Sequence, residues 1–327
     1  MREKAGCIII LSMKKLLVMI TLLVPLLAAG QALVRQPYLQ RMTPSAVTIA
    51  FKSDVSAVGA VEYGITDSLG TTTVEASPSI LHGIDLSGLH QNSIYFYRVT
   101  LDGTPVTDIV SFTTARDSSV PVFSFNAVGD LGCGDDPPPT FACAAVAQEW
   151  TGSSSDFGLF LGDNVYDTGA DSDYDPQLFS NYRQFWQTRC IYPAIGNHDT
   201  YSEDGLPFDN NFFNFSNNAE GSERYYSFRY GNALFIALDP VSTAYGLSDP
   251  QTLWLIETLQ NSTDYWKFVF FHYQPYSCCY RGSNVAVREA WSPVFEQYGV
   301  DMAFTAHDHG YERTFPVRDY FPSSRGV

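Results

Sequence analysis

Phe157-Gly158-Leu159-Phe160-Leu161-Gly162-Asp163-Asn164-Val165-Tyr166 is the stretch whose reading decides the fold. Phe157–Leu161 has the length and makeup of a buried strand. Gly162 lets the chain turn sharply as it leaves the sheet. Asp163 then sits where ligands gather, beyond the carboxyl end of a parallel strand. Tyr166 follows three residues later with a phenolic oxygen, a hard donor once ionised. Offered together from one turn, the aspartate and the tyrosine suit a highly charged metal ion, iron(III) above all. Gly-Asp turns and loop tyrosines are common, so the weight lies in how often the pattern recurs.

It recurs along the whole second half of the chain. Val122–Val128 reads as a strand ending in Gly129-Asp130, and Ile191–Ile195 as one ending in Gly196-Asn197-His198-Asp199. Lys267–Phe271 leads to His272, and Asp301–Thr305 to Ala306-His307-Asp308-His309. Helical patterns lie at Phe141–Trp150, Pro176–Thr188, Asp249–Leu259 and Val285–Tyr298. Tyr225–Tyr230 and Leu234–Leu238 resemble a hairpin across Gly231-Asn232. Four of the six histidines in the chain fall at these strand ends. If the ends share one sheet edge, eight oxygen or nitrogen donors converge, too many for a single tetrahedral zinc. Two ions roughly 3.5–4 Å apart, bridged by a carboxylate, use such an inventory for phosphoryl hydrolysis. One ion would take Asp130, Asp163, Tyr166 and His309, the other Asp163, Asn197, His272 and His307. Facing His307 and His309 toward different ions requires a turn at Asp308, with slack from Ala306 and Gly310.

Upstream, residues 36–115 alternate or run apolar and β-branched, as in Ala46–Phe51, Gly59–Tyr63 and Ser93–Val99, with turn residues between. They predict an antiparallel β-sandwich of immunoglobulin or fibronectin type III kind, in which His82 and His90 are structural or surface histidines rather than ligands. The polar joint Ala115–Pro121 separates it from the strand–helix alternation, giving domains at 33–117 and 118–327.

The 327 residues carry a net charge of −16 and are 45% hydrophobic, a folded and acidic chain. Residues 1–30 hold Arg2, Lys4, Lys14, Lys15 and Glu3, a net +3, so the remainder stands at −19. With no basic run to offset it, such a chain repels nucleic acid. An anionic substrate would need local positive charge, which metal ions could supply. Lys14-Lys15 followed by apolar Leu16–Ala29 and small residues reads as a secretory signal over 1–32, with Met13 a better start than Met1. The expected location is secreted or periplasmic, without stable membrane association. Five cysteines remain after the signal; Cys133 and Cys143 are the expected disulfide, bracketing Pro137-Pro138-Pro139, while the adjacent Cys278-Cys279 are poorly placed to pair. The aromatic run Phe208–Phe215 reads as packing over a loop, with a wall of the substrate cleft as the alternative, and Asp171–Asp175 as a solvated acidic loop. Asn214-Phe215-Ser216 and Asn261-Ser262-Thr263 are glycosylation sequons, relevant only in a eukaryotic secretory pathway.

In order, Gly-Asp-x-Gly, Gly-Asp-x-x-Tyr, Gly-Asn-His-Asp, a lone histidine after a strand and Ala-His-x-His-x-Tyr-Glu-Arg resemble the purple acid phosphatases, dinuclear calcineurin-like metallophosphoesterases. The resemblance implies α/β/β/α layering in the second domain, iron(III) at the Tyr166 site and iron(II), zinc or manganese(II) beside it. It implies that His198 faces the substrate as a proton or hydrogen-bond donor, and that Asp199 orients that imidazole or else caps the turn. The implied activity is hydrolysis of small phosphate monoesters by a metal-bound hydroxide at acidic to neutral pH. A phosphodiesterase or nucleotidase using the same site, and a secreted binding protein with a degenerate site, are the alternatives. Three features depart from the family pattern. Ala306 stands where glycine is usual, and no second substrate-facing histidine lies between His272 and His307, where Tyr276, Arg281 and Asn284 are the candidates to face the substrate. The sequence also stops 18 residues after His309, where an incomplete last sheet is expected.

Overall fold

The computed structural model describes residues 31–132, 141–318 and 321–322. The expected signal segment before Gln31, Cys133 and the Pro137–Pro139 loop lie outside the described residues, as does the fate of the Cys133–Cys143 pair. Among the described residues Cys190, Cys278 and Cys279 are free thiols.

In chain order the elements are β1 (Leu33–Gln40), β2 (Ala46–Ala57), β3 (Gly59–Gly64), β4 (Thr71–Val74), β5 (Ser79–Ser87), β6 (Ile94–Leu101), β7 (Thr104–Pro105) and β8 (Val110–Thr113). There follow β9 (Phe125–Val128), α1 (Phe141–Gly152), β10 (Phe157–Leu161), α2 (Asp171–Tyr174), α3 (Arg183–Trp186), β11 (Cys190–Ala194) and α4 (Leu206–Asn211). The last are β12 (Tyr226–Tyr230), β13 (Ala233–Ala237), α5 (Pro250–Gln260), β14 (Trp266–Tyr273), α6 (Val285–Tyr298), β15 (Met302–Ala306), β16 (Val317–Arg318) and β17 (Phe321–Pro322).

The five strands that lead into donor-bearing turns do not share one sheet, which corrects the single-edge expectation. β9, β10 and β11 run parallel in a six-stranded sheet of order β5-β2-β1-β11-β10-β9. β14 and β15 run parallel in a second sheet, β12-β13-β14-β15. The sheets pack face to face through Phe157, Leu159, Tyr192, Phe228, Phe235 and Phe270. Phe157 is central, with ring centroids of Tyr230, Phe125 and Phe235 at 4.6, 5.3 and 5.3 Å. Truncating such a ring to alanine costs about 3–5 kcal/mol. The outer face of the first sheet buries Phe160 against Trp150, Tyr182 and Trp186. That of the second buries Leu234, Ile236 and Val269 against Leu255, Leu259 and Trp291 of α5 and α6. Helix, sheet, sheet and helix therefore form four layers.

The N-terminal strands divide between two sheets. β1, β2 and β5 extend the six-stranded sheet, while β3, β4, β6, β7 and β8 form another. Strand pairing crosses the Ala115–Pro121 joint, because Leu39 of β1 pairs in parallel with Cys190 of β11. His82 is buried between Ser53 and Glu75 at 2.9 Å each, a structural histidine as expected.

Local signals explain the helix ends. Asn284 Oδ1 accepts from Val287 N at 3.1 Å to cap α6, and Gly299 at φ 69° ends it in the left-handed region. The 176–188 helix is broken instead into a π turn at Asp175–Phe179 and the single turn α3. Asn181 Nδ2 donates to the carbonyls of Pro176 and Gln177 there, competing with the helical ladder. The Asp171–Asp175 run is likewise no free acidic loop. Asp175 pairs with the buried Arg35 at 2.6 Å, and Asp171 with Lys52 at 3.1 Å. Phe208 and Phe212 are buried core, the packing reading of that aromatic run.

Candidate metal centre

All the strand ends arrive at one place, because the two parallel edges abut. His272 Nδ1 lies 3.0 Å from the carbonyl of Leu161, so β14 of one sheet is tied to β10 of the other. The amide of His307 donates to Asp130 Oδ2 at 2.9 Å, joining β15 to β9 in the same way. Two glycines make the approach possible. A Cβ on Gly162 (φ 92°) would sit 2.7 Å from His272 Nδ1, and one on Gly196 would sit 2.0 Å from the amide nitrogen of Asp163. The turn residues are held in the left-handed region: Asp130 at φ 57°, Asp163 at 51°, His307 at 74° and His309 at 43°. The expected turn at Asp308 is thus made by the two histidines flanking it. Ala306 is accommodated because residue 129 is glycine; a Cβ there would lie 2.3 Å from that of Ala306.

Seven of the nine residues singled out from the sequence form two groups about the Asp163 carboxylate. In the first, the Tyr166 hydroxyl lies 3.1 Å from Asp130 Oδ1, 3.2 Å from His309 Nε2 and 3.4 Å from Asp163 Oδ2. In the second, His272 Nε2 lies 3.1 Å from Asn197 Oδ1, 3.1 Å from His307 Nδ1 and 3.3 Å from Asp163 Oδ2. Among the described residues Asp163, His272 and His307 form a cluster able to hold an ion.

The donor chemistry of the second group fits a cation. The Leu161 carbonyl can only accept, so His272 Nδ1 carries its proton and, in the neutral ring, Nε2 presents a lone pair. That lone pair faces an amide oxygen, a carboxylate oxygen and a second imidazole nitrogen. At most one of these contacts can be a hydrogen bond, and only if a proton is shared; a metal ion satisfies all four at once. Without an ion, burial alone would lower the basicity of His272, but the hydrogen bond and charge of Asp163, with the charge of Asp130 and the Leu161 bond, outweigh it and raise its pKa, so a bound cation would take the place of that proton. His307 is pushed the other way, to about 4, by burial and then by the charge of His272, leaving the neutral imidazole that metals require. Asp163 is disfavoured as an anion by burial, yet its hydrogen bond and ion pair with His272 hold it below the ordinary carboxylate range. Burial, then the charges of Asp130 and Asp163, raise the Tyr166 phenol, so only a strongly polarising cation would ionise it.

The remaining two residues lie at the rim and beneath it. His198 Nδ1 contacts the Asp167 carbonyl at 2.6 Å, which leaves Nε2 directed at the site, 4.0 Å from Asp163 Oδ2. Asp199 does not reach that imidazole. Its buried carboxylate accepts from Gly196 N at 2.8 Å and from Asn164 N and Nδ2 at 3.0 and 2.9 Å. It caps one turn and clamps it to the next, the second of the two roles expected for it. Burial and then the Asp163 charge raise its pKa to about 7.

Residues 123–311, which contain every donor above, match the sequence pattern of the family described as calcineurin-like phosphoesterase. The chain belongs to the calcineurin-like phosphoesterases. It is 27% identical over 280 residues to purple acid phosphatase 15 of Arabidopsis thaliana, covering 74% of this chain and 51% of that one. It is 27% identical over 259 residues to a purple acid phosphatase of Glycine max, covering 73% and 53%. The chain thus spans about half the length of these relatives. Among solved structures, the purple acid phosphatase PPD1 of yellow lupin superposes with a TM-score of 0.75 at 19% identity, over 86% of this chain and 60% of that one. At that identity the likeness is one of fold.

Three supports in this phosphoesterase escaped the sequence reading. Gln177 accepts from Tyr166 N at 2.8 Å and donates to the Tyr166 carbonyl, fixing the loop that carries the phenol. Tyr201 accepts from Asn197 Nδ2 at 2.8 Å, which turns the amide oxygen inward. Asp308 accepts from Gln274 Nε2 at 3.0 Å, from the Ser277 hydroxyl and from Arg281 N at 2.6 Å, pinning the 274–284 loop. None of the three carries a motif; only the spacing of Asp308 between two histidines could have drawn notice.

Proposed function

We propose that this calcineurin-like phosphoesterase hydrolyses small phosphate monoesters in the manner of the purple acid phosphatases, with two metal ions flanking Asp163. The observation that carries the reading is the position of Asp163 Oδ2, 3.4 Å from the Tyr166 oxygen and 3.3 Å from His272 Nε2. One carboxylate oxygen therefore borders both donor groups. Asp130, Tyr166 and His309 would hold the first ion with Asp163; Asn197, His272 and His307 would hold the second. The phenol favours iron(III), and the imidazole and amide set favours iron(II), zinc or manganese(II). One Arabidopsis relative is described as an Fe(3+)-Zn(2+) purple acid phosphatase.

When bound, the ions supply neutralisation of phosphoryl oxygens and a more acidic water. The chain supplies position and proton. Asp163 Oδ1 accepts from His198 N at 2.8 Å, so the shared carboxylate and the rim histidine move as one unit. With Nδ1 occupied by the Asp167 carbonyl, Nε2 is the His198 atom that would give a proton to the departing alkoxide. Tyr201 packs on the His198 ring at 4.9 Å between centroids and restricts its rotation. The sheets over 33–113 support an appended sandwich of immunoglobulin or fibronectin type III kind. Lys14-Lys15 and the apolar Leu16–Ala29 support export, and among the described residues no helix is long and apolar enough to cross a membrane.

Turnover of p-nitrophenyl phosphate against bis(p-nitrophenyl) phosphate tests the reading. Faster cleavage of the monoester, lost on chelation and restored by metal, is expected. Equal or preferential cleavage of the diester would move the enzyme to the phosphodiesterases, and no cleavage of either by the metal-loaded chain would remove the hydrolase reading.

A further inference from the structure

We propose that Arg281 selects phosphate esters carrying a second anionic group, a carboxylate or another phosphate, by binding that group in the cleft beside His307. The inference rests on the hydrolase reading above and specifies its substrate class.

The cleft has a volume of about 300 Å³ and is lined by Tyr273, Gln274, Arg281, Ser283, Asn284 and His307. Most of its polar lining is already committed to the fold. Gln274 Nε2 donates to the Gly282 carbonyl at 2.7 Å and to Asp308 at 3.0 Å. Ser283 Oγ accepts from Ser277 N at 3.0 Å and donates to the Ser277 carbonyl at 3.3 Å. Asn284 spends its oxygen on the α6 cap. Arg281 differs. Its main-chain nitrogen is anchored to Asp308 Oδ1 at 2.6 Å, while among the described residues its guanidinium makes no hydrogen bond or ion pair.

That anchor fixes the main chain that carries the charge at the exposed edge of the cleft. Asp308 lies between His307 and His309, and through Gln274, Ser277 and Arg281 it holds the loop against the turn that presents both histidines. In a chain of net charge −16 an approaching polyanion meets general repulsion. The candidate metal centre offsets it at one phosphate, and a free guanidinium in the adjoining cleft offsets it at a second group. Its planar fork matches both carboxylate and phosphate oxygens, and a loop already ordered keeps the entropic cost of the contact low.

The test is equilibrium binding to the metal-loaded full chain of a matched pair, 3-phosphonopropionate and propylphosphonate, which differ only in the second anion. Propane-1,3-bisphosphonate is a third ligand that tells carboxylate from phosphate. The wild type is expected to prefer one of the ligands with a second anionic group over propylphosphonate by about tenfold or more, and Arg281→Met to abolish the preference while Arg281→Lys keeps part of it. A preference unchanged in Arg281→Met, or absent from the wild type, overturns the assignment, whether or not the enzyme turns over. A preference lost in Arg281→Met, in a protein that cleaves no ester, supports Arg281 and removes the hydrolase reading alone.

Discussion

The two donor groups on either side of Asp163 are built differently. The group of Asn197, His272 and His307 has the deeper members: His272 is fully buried, Asn197 is 8% exposed and His307 is half-buried. Its members are fixed by main chain and neighbours, through the Leu161 carbonyl and the Tyr201 hydroxyl. The group of Asp130, Tyr166 and His309 opens at one member, with the His309 side chain 55% exposed while that of Asp130 is 8% exposed. Its phenol depends on Gln177, a side chain from a different segment. The buried half is thus preorganised by the fold, whereas the open half is assembled from loops. Rigid donors set affinity in advance, while open ones let an ion and its ligands exchange.

The largest expected effect abolishes the difference altogether. Asp163→Ala removes the one carboxylate common to both groups, and turnover should fall by about a thousandfold or more, with neither ion retained on metal analysis. Full turnover with both ions bound would separate Asp163 from the chemistry.

Next comes a pair that measures the contrast itself. In metal-free protein, His272→Ala should lower unfolding free energy by about 2 kcal/mol, since a buried ring and its bonds to Leu161 and Asp163 are lost. His309→Ala should stay within about 0.5 kcal/mol of the parent, as exposed substitutions do. Denaturant titration in chelator gives both numbers. Equal losses would mean that the halves are not built differently.

Gln177→Ala probes the support of the open half without touching a donor. Freeing the Tyr166 loop should weaken the first ion of the proposed centre by about 10–100-fold and, in iron(III)-loaded protein, shift or bleach the visible absorption that a phenolate bound to iron(III) would give. The smallest effect belongs to Tyr201→Phe, which lets the Asn197 amide rotate. The second ion should weaken by about tenfold or less, with the absorption band unchanged.

Much of this was readable in the residues, and the limits have physical causes. Phe157–Leu161 and Val285–Tyr298 carry their own boundaries, a flanking glycine in one case and a capping asparagine with Gly299 in the other. The donors were readable because each follows an apolar run, where a turn must expose its side chain. Division of the runs into two sheets was not readable, since a strand buried on both faces looks the same in either. The broken 171–186 segment was missed because its aromatic spacing is helical, while the interruption depends on Asn181 bonding to carbonyls. Gln177 and Tyr201 act through hydrogen bonds to the Tyr166 main chain and the Asn197 amide, which leave no periodic trace.

The most direct test is anomalous scattering from crystals of the metal-loaded protein. Two peaks roughly 3.5–4 Å apart on either side of Asp163 Oδ2 are expected, one touching the Tyr166 oxygen and the other His272 Nε2. A single peak, or two that leave Asp163 untouched, would contradict a centre built around that carboxylate.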